Sequence, residues 1–161
     1  IIKNREKIKD FDKDSLRYII RSCCDMKACV VNQDEHDTGL REILNYGHTI
    51  GHAIEGLKEF ELLHGECVAV GMMAVMDISV KRGYISPSKK EGFGELLKYF
   101  GLPVSVTGLK ADNVYEQLFH DKKVSSNKLK FVIADGIGST IRTSDVQRAE
   151  VIAAIESVLE D

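Results

Sequence analysis

Between Gly65 and Lys81 the chain is apolar on nearly every side of the helix that its composition predicts, and no other stretch restricts the fold so tightly. A helix with one apolar stripe can lie on a surface, but a helix apolar all round has to be surrounded. Its strongest run, Cys67 to Met76, is ten residues long, against the roughly 20 that a membrane span needs. Protein rather than lipid is therefore expected to cover it. Gly65 and Gly71 lower helix propensity but let neighbouring backbones come close.

The neighbours are expected along the rest of the chain. From Asp12 to Val31, Leu16, Ile19, Ile20, Cys23, Met26 and Val30 recur at the spacing of one helix face, with Asp12 or Asp14 to cap its start. After a polar break at Asn32 to Gly39, a second helix is expected over Arg41 to Glu55, and Leu57 to Leu63 is a connection. Ser86-Pro87 opens the next helix, with a hydroxyl and a proline where no amide hydrogen is missed; Gly101 ends it, with Pro103 beyond. Asp112 to Phe119 reads as a short helix. Leu129 to Ala134 and Ser139 to Thr143 read as strands around the turn Asp135-Gly136-Ile137-Gly138. A last helix over Asp145 to Leu159 would turn Val146, Ala149, Ile152, Ala153 and Ile155 inward. The expected fold class is mainly α: one multi-helix domain with one small β-hairpin, a size that can bury a core without staples.

Charge and cysteine content narrow the function classes. There are 22 basic and 25 acidic side chains, a net charge of −3, so no global field draws the chain to nucleic acid or a membrane surface. Cys23, Cys24, Cys29 and Cys67 show no Cys-x-x-Cys spacing and are expected as small buried apolar residues of a reducing compartment, the cytoplasm. No basic-then-apolar leader opens the sequence. A first residue Ile1 in place of Met suggests a processed product or an excised fragment.

Chemistry concentrates in one segment. Three of the five histidines fall between His48 and His64. On one helix, with about 100° per residue, Arg41, Asn45, His48 and His52 share an arc of about 60°. Two imidazoles, a carboxamide and a guanidinium on one stripe suit a ligand better than solvent, since imidazoles hold divalent metals and arginine grips carboxylate or phosphate with two bonds. His48 and His52 stand four apart, as in the metalloprotease pattern, but Thr49 replaces that pattern's glutamate base. A catalytic zinc usually takes three protein ligands; His48, His52, His64 and Glu66 are candidates among which spacing does not choose. Lys27, Lys122 and Lys123 each read singly as solvated charges, and together with Arg41 as an anion pocket. Glu55 could orient a histidine from outside the ligand set. His36 and His120 are expected at the surface.

These residues resemble a known family. Leu44-Asn45-Tyr46-Gly47-His48-Thr49-Ile50-Gly51-His52-Ala53-Ile54-Glu55 followed by Leu63-His64-Gly65-Glu66 is similar to the signature of the 3-dehydroquinate synthases. The resemblance extends to Lys27-Ala28-Cys29-Val30-Val31, Asp34-Glu35, Gly39-Leu40-Arg41, Gly101-Leu102-Pro103, His120-Asp121-Lys122-Lys123 and Phe131 to Gly138. It implies a cytoplasmic lyase of the shikimate pathway, on the route to chorismate and the aromatic amino acids. Such an enzyme turns a phosphorylated keto acid, 3-deoxy-arabino-heptulosonate 7-phosphate, into 3-dehydroquinate and phosphate. NAD serves in a transient oxidation, and a divalent metal (zinc, with cobalt as alternative) polarises the oxidised centre.

Position by position, the resemblance makes His48 and His64 metal ligands. It gives Lys27, Arg41, Asn45 and His52 to substrate and catalysis, with a lysine of the pair Lys122 and Lys123. The family's third ligand, a glutamate near an Ala-Glu-x-x-Lys motif, and its NAD-binding domain precede this region. Residues 1–26 hold no such motif and no glycine. The expectation is therefore a C-terminal domain without an NAD site, inactive alone, whose partner is the N-terminal NAD-binding domain of a full-length homodimer. Two alternatives remain. One is a domain of a sister cyclase acting on a deoxy-inosose precursor or sedoheptulose 7-phosphate, and the other a non-catalytic helical binding domain with structural histidines.

Overall fold

The computed structural model describes residues 1–36, 39–59, 61–120 and 129–160. They form two compact units, Ile1–Leu44 and Asn45–Asp161.

The first unit has a short helix α1 (Arg5–Lys9) and a long one, α2 (Lys13–Gln33). Asp12 caps α2 as expected, its carboxylate accepting from the Ser15 amide at 2.9 Å. The apolar stripe of α2 is real but uncovered: Ile20 and Met26 are 63% and 62% exposed. Cys23, Cys24 and Cys29 lie at the surface, so the expectation of buried cysteines holds only for Cys67. The physical reason is that α2 buries no residue at all; helical periodicity reports an apolar face, not what lies against it.

The expected helix over Arg41 to Glu55 is broken in two. Leu40–Asn45 forms a 3-10 turn, and α3 runs over His48–Leu57. Gly47 separates them in the left-handed conformation, φ +78°, which a residue with a β-carbon adopts only at a cost. A Cβ there would also lie 2.6 Å from Met72 Cγ and 2.7 Å from its backbone nitrogen.

The second unit is built round α4 (His64–Lys81), which buries twelve of its residues, Cys67 to Gly71 and Met73 to Ser79. It packs against α3, α5 (Pro87–Tyr99), α7 (Arg148–Glu156) and strand β2 (Phe131–Gly136), while α6 (Ala111–His120) packs on α3 and α7. The all-round apolar helix is central, as its composition requires. Ile50 and Ile54 of α3, Val70 and Ile78 of α4, Val114 of α6, Phe131 and Ile133 of β2 and Ile155 of α7 are almost wholly inaccessible to water. β2 pairs antiparallel with β3 (Ser139–Thr143) as the expected hairpin, with an irregularity between Ala134 and Gly136.

Two details depart from expectation. The last helix is shorter, and its buried residues are Val151, Ala154 and Ile155, with Ala149 exposed; it starts at Arg148, so Val146 lies outside it. Val158 then leads into strand β4 (Leu159–Glu160), which pairs in parallel with β1 (Val106–Thr107). Outside the core, Arg82 grips Glu150 with two nitrogens at 2.7 and 2.9 Å, tying the end of α4 to the start of α7.

Candidate metal centre

Glycines set how closely α3 and α4 approach. A Cβ at Gly71 would stand 2.1 Å from the carbonyl oxygen of Gly47 and 2.7 Å from the amide of Gly51. One at Gly51 would meet the Cys67 carbonyl at 3.0 Å. These obstacles are backbone, which cannot rotate away, so only hydrogen permits the contact. Gly65, by contrast, has open space beside it and plays no such part.

This approach brings the first residue of α4 to the open side of α3. The His48 and His52 rings lie 5.3 Å apart between centroids, and His64 is 5.5 Å from each. One nitrogen from each of the three falls within 4.8 Å of the others. Bound to a tetrahedral ion at about 2.0–2.1 Å, nitrogen ligands stand roughly 3.4 Å apart, a spacing that small side-chain rotations reach from here.

The ring nitrogens are not equivalent. His48 Nδ1 lies 3.2 Å from the Tyr46 carbonyl and His64 Nδ1 lies 3.0 Å from Glu55 Oε2. Carbonyl and carboxylate oxygens only accept, so each Nδ1 carries a hydrogen, and in the neutral ring Nε2 then keeps the lone pair. That is the state in which imidazole binds a metal. His48 is half-buried and His64 exposed, which leaves one side open to a ligand. Burial and then the nearby Glu55 and Glu66 carboxylates push the Cys67 thiol up, so it is a poor thiolate donor.

One sequence candidate, Glu66, has another duty, and so does Thr49 beside His48. Glu66 accepts from the Leu63 amide at 2.8 Å and so caps α4. Thr49, where a metalloprotease carries its base, donates to the Lys130 carbonyl at 3.2 Å. Asn45 is exposed just before α3. The expected stripe of four therefore does not exist as one helix face; His48 and His52 share a face, and Gly47 detaches Asn45 and Arg41 from it.

Lys27 and Arg41 belong to the first unit, Lys27 on α2 and Arg41 exposed on the 3-10 turn. The loop bearing Arg41 has an anchor that sequence reasoning missed. Asp34, 6% exposed, ends α2 and accepts from the amides of Gly39 and Arg41 at 2.8 and 2.9 Å. An aspartate at a helix end, before a glycine-containing turn, is the available signal. Lys122 and Lys123 lie outside the described residues, as does the His120 side chain; His36 is exposed as expected.

A second polar cluster lies beside a cavity of about 410 Å³ between α4 and α5. Its buried acid, Asp77, is matched by Lys90 at 2.6 Å and Lys81 at 2.7 Å. Burial pushes the Asp77 carboxyl up, but the two ammonium groups outweigh it and hold the group below the ordinary carboxylate range. In this cluster the charges are matched within the set, an acid between two ammonium groups.

The family model described as 3-dehydroquinate synthase C-terminal matches residues 1–124. A 3-dehydroquinate synthase of Ruminiclostridium cellulolyticum is 47% identical over 139 residues, 86% of this chain and 39% of that protein. One from Acetivibrio thermocellus is 43% identical over 157 residues, 94% of this chain and 43% of that protein. Among solved structures, a 2-epi-5-epi-valiolone synthase of Streptomyces hygroscopicus subsp. jinggangensis, with NAD+ and Zn2+ bound, superposes with TM-score 0.84 at 19% identity. The match covers 96% of this chain and 44% of that one. A 2-deoxy-scyllo-inosose synthase complexed with carbaglucose-6-phosphate, NAD+ and Co2+ gives 0.78 at 25% identity, covering 91% of this chain and 43% of that one. The chain thus spans less than half the length of these proteins, and it belongs to the 3-dehydroquinate synthase C-terminal family.

Proposed function

We propose that the chain is the metal- and substrate-binding domain of an enzyme that converts 3-deoxy-arabino-heptulosonate 7-phosphate to 3-dehydroquinate and phosphate. The observation that carries this reading is the convergence of His48, His52 and His64, with the Nε2 atoms of His48 and His64 left as donors by their Nδ1 hydrogen bonds. Imidazole ligands suit a borderline ion, zinc or cobalt, better than magnesium or calcium. The sequence likeness is much greater to the dehydroquinate synthases than to the inosose and valiolone cyclases, which favours the carboxylated heptulosonate over the sister substrates.

In this reading His48 and His64 hold the ion, with a third ligand supplied from the domain that precedes this one in the family. Such an ion polarises the oxygens of a bound substrate. His52, on the same face of α3, hydrogen-bonds a substrate hydroxyl and carries a proton to or from it. Arg41 clamps a carboxylate or phosphate with two bonds, and Lys27, with one of Lys122 and Lys123, adds point charges for the same anions. Asn45 contributes a neutral donor and acceptor. In the family the NAD-binding domain precedes this region, so the NAD that the reaction needs is assigned to that domain, and full-length copies to a cytoplasmic homodimer.

Zinc and cobalt titration of the chain tests the metal assignment. Substituting His48→Ala or His64→Ala should weaken binding by more than the roughly 10–100-fold that loss of an outer partner costs, whereas His52→Ala should change it only a few-fold. Equal affinity in the wild type and the His48→Ala, His64→Ala double variant would contradict the assignment. A scaffold with structural histidines would give that result.

A further inference from the structure

Along α3, Glu55 lies seven positions after His48 and three after His52, so at about 100° per residue the three share an arc of about 60°. This is the polar stripe that α3 actually carries, and its third member is a carboxylate. Glu55 Oε2 is 3.0 Å from His64 Nδ1, across the junction between α3 and the first residue of α4. The Glu55 side chain is 24% exposed and that of His64 53%, so the acid is the better-fixed partner and the imidazole the looser one.

We propose that Glu55 is a positioning residue for the metal centre: its carboxylate takes the Nδ1 hydrogen of His64 and so fixes both the ring's orientation and the tautomer that leaves Nε2 as donor. This rests on the metal reading given above. As an ion pair alone, a contact this exposed would add little to stability. Its effect is instead directional. His64 opens a helix at the surface, and without a partner its ring would sample several rotamers and both neutral tautomers. His48 needs no such help, because the backbone carbonyl of Tyr46, beside Gly47, already takes its Nδ1 hydrogen at 3.2 Å. The two ligands are thus oriented by different devices, one built into the backbone and one supplied by a single replaceable side chain.

The test has a readout that needs no metal. Long-range 1H–15N spectra of the metal-free chain, taken above the pH at which imidazoles are protonated, report which nitrogen of His64 carries the hydrogen. The wild type should show it on Nδ1. Glu55→Ala, which keeps α3 because alanine is the strongest helix former, should shift His64 toward the Nε2-protonated form and weaken zinc and cobalt binding about 10–100-fold. Glu55→Gln keeps an acceptor oxygen without the charge, so it should restore the tautomer and recover part of the affinity. An unchanged His64 tautomer in Glu55→Ala, with metal affinity within twofold of the wild type, would overturn the proposal. An intact enzyme that binds neither ion would overturn the metal reading itself, and the spectra would still decide whether Glu55 orients His64.

Discussion

At the scale of single residues, the polar side chains divide into those held by the backbone and those held by one another. Asp34 belongs to the first kind, taking two amides of the loop that presents Arg41. Replacing it with alanine leaves both donors without that partner, and hydrogen bonds to charged groups are worth about 1.5–3 kcal/mol each. In the complete enzyme Asp34→Ala should therefore raise KM while leaving the zinc affinity unchanged; the reverse pattern would place Asp34 with the metal. Arg41→Lys should raise KM roughly tenfold or more, because an ammonium cannot make the two-pronged contact, and unchanged steady-state constants would remove Arg41 from the substrate pocket. The pairing of His48 with His52 was legible from their helical spacing, whereas spacing left His64 and Glu66 as equal candidates and only the packing of α4 on α3 brings His64 to them. The membership of Arg41 and Asn45 in their stripe was misread. Gly47, between Tyr46 and His48, looks like any tolerated glycine until its left-handed φ is seen.

At the scale of elements, the contact between α3 and α4 governs the site. Gly71→Ala sets a methyl 2.1 Å from a backbone oxygen, so its cost should exceed the roughly 1–3 kcal/mol of ordinary overpacking. Urea unfolding would measure that cost, and zinc affinity should fall with it because His64 moves away from α3. A variant as stable as wild type would show that the two helices can separate freely. Asp77, between α4 and α5, should give the fold part of its pH dependence. Its carboxyl is held below the ordinary value, so its contribution is full above about pH 4 and is lost as pH falls through the lower folded value. Asp77→Asn should flatten the stability profile on that acid side, as read by unfolding at several pH values; an unaltered profile would contradict this. The sequence disclosed α4, α5 and the β2–β3 hairpin well, since a long apolar run, Ser86-Pro87 and the Gly136 to Gly138 turn are local signals. It could not disclose β1 with β4, because two-residue strands distant in sequence carry no period and exist only once α7 delivers Leu159 beside Val106.

At the scale of the whole molecule, stability should be unevenly spread. α4 buries twelve residues whereas α2 buries none, so amide hydrogens of α2 should exchange much faster than those of α4. Comparable protection in both would mean that α2 is covered in solution. The larger unit has a core of its own and should fold without further chains. Function should not be self-sufficient to the same degree. In the proposed function the chain supplies imidazole ligands and anion-binding side chains, and the hydride acceptor comes from the domain that precedes this region in the family. Phosphate release from 3-deoxy-arabino-heptulosonate 7-phosphate, followed with NAD and zinc present, tests this most directly. The chain alone should give no sustained turnover, and adding the family's NAD-binding domain as a separate chain should restore it. Many turnovers by the isolated chain, or none after that addition when the intact enzyme is active, would contradict the assignment of this chain as the metal- and substrate-binding half of the catalyst.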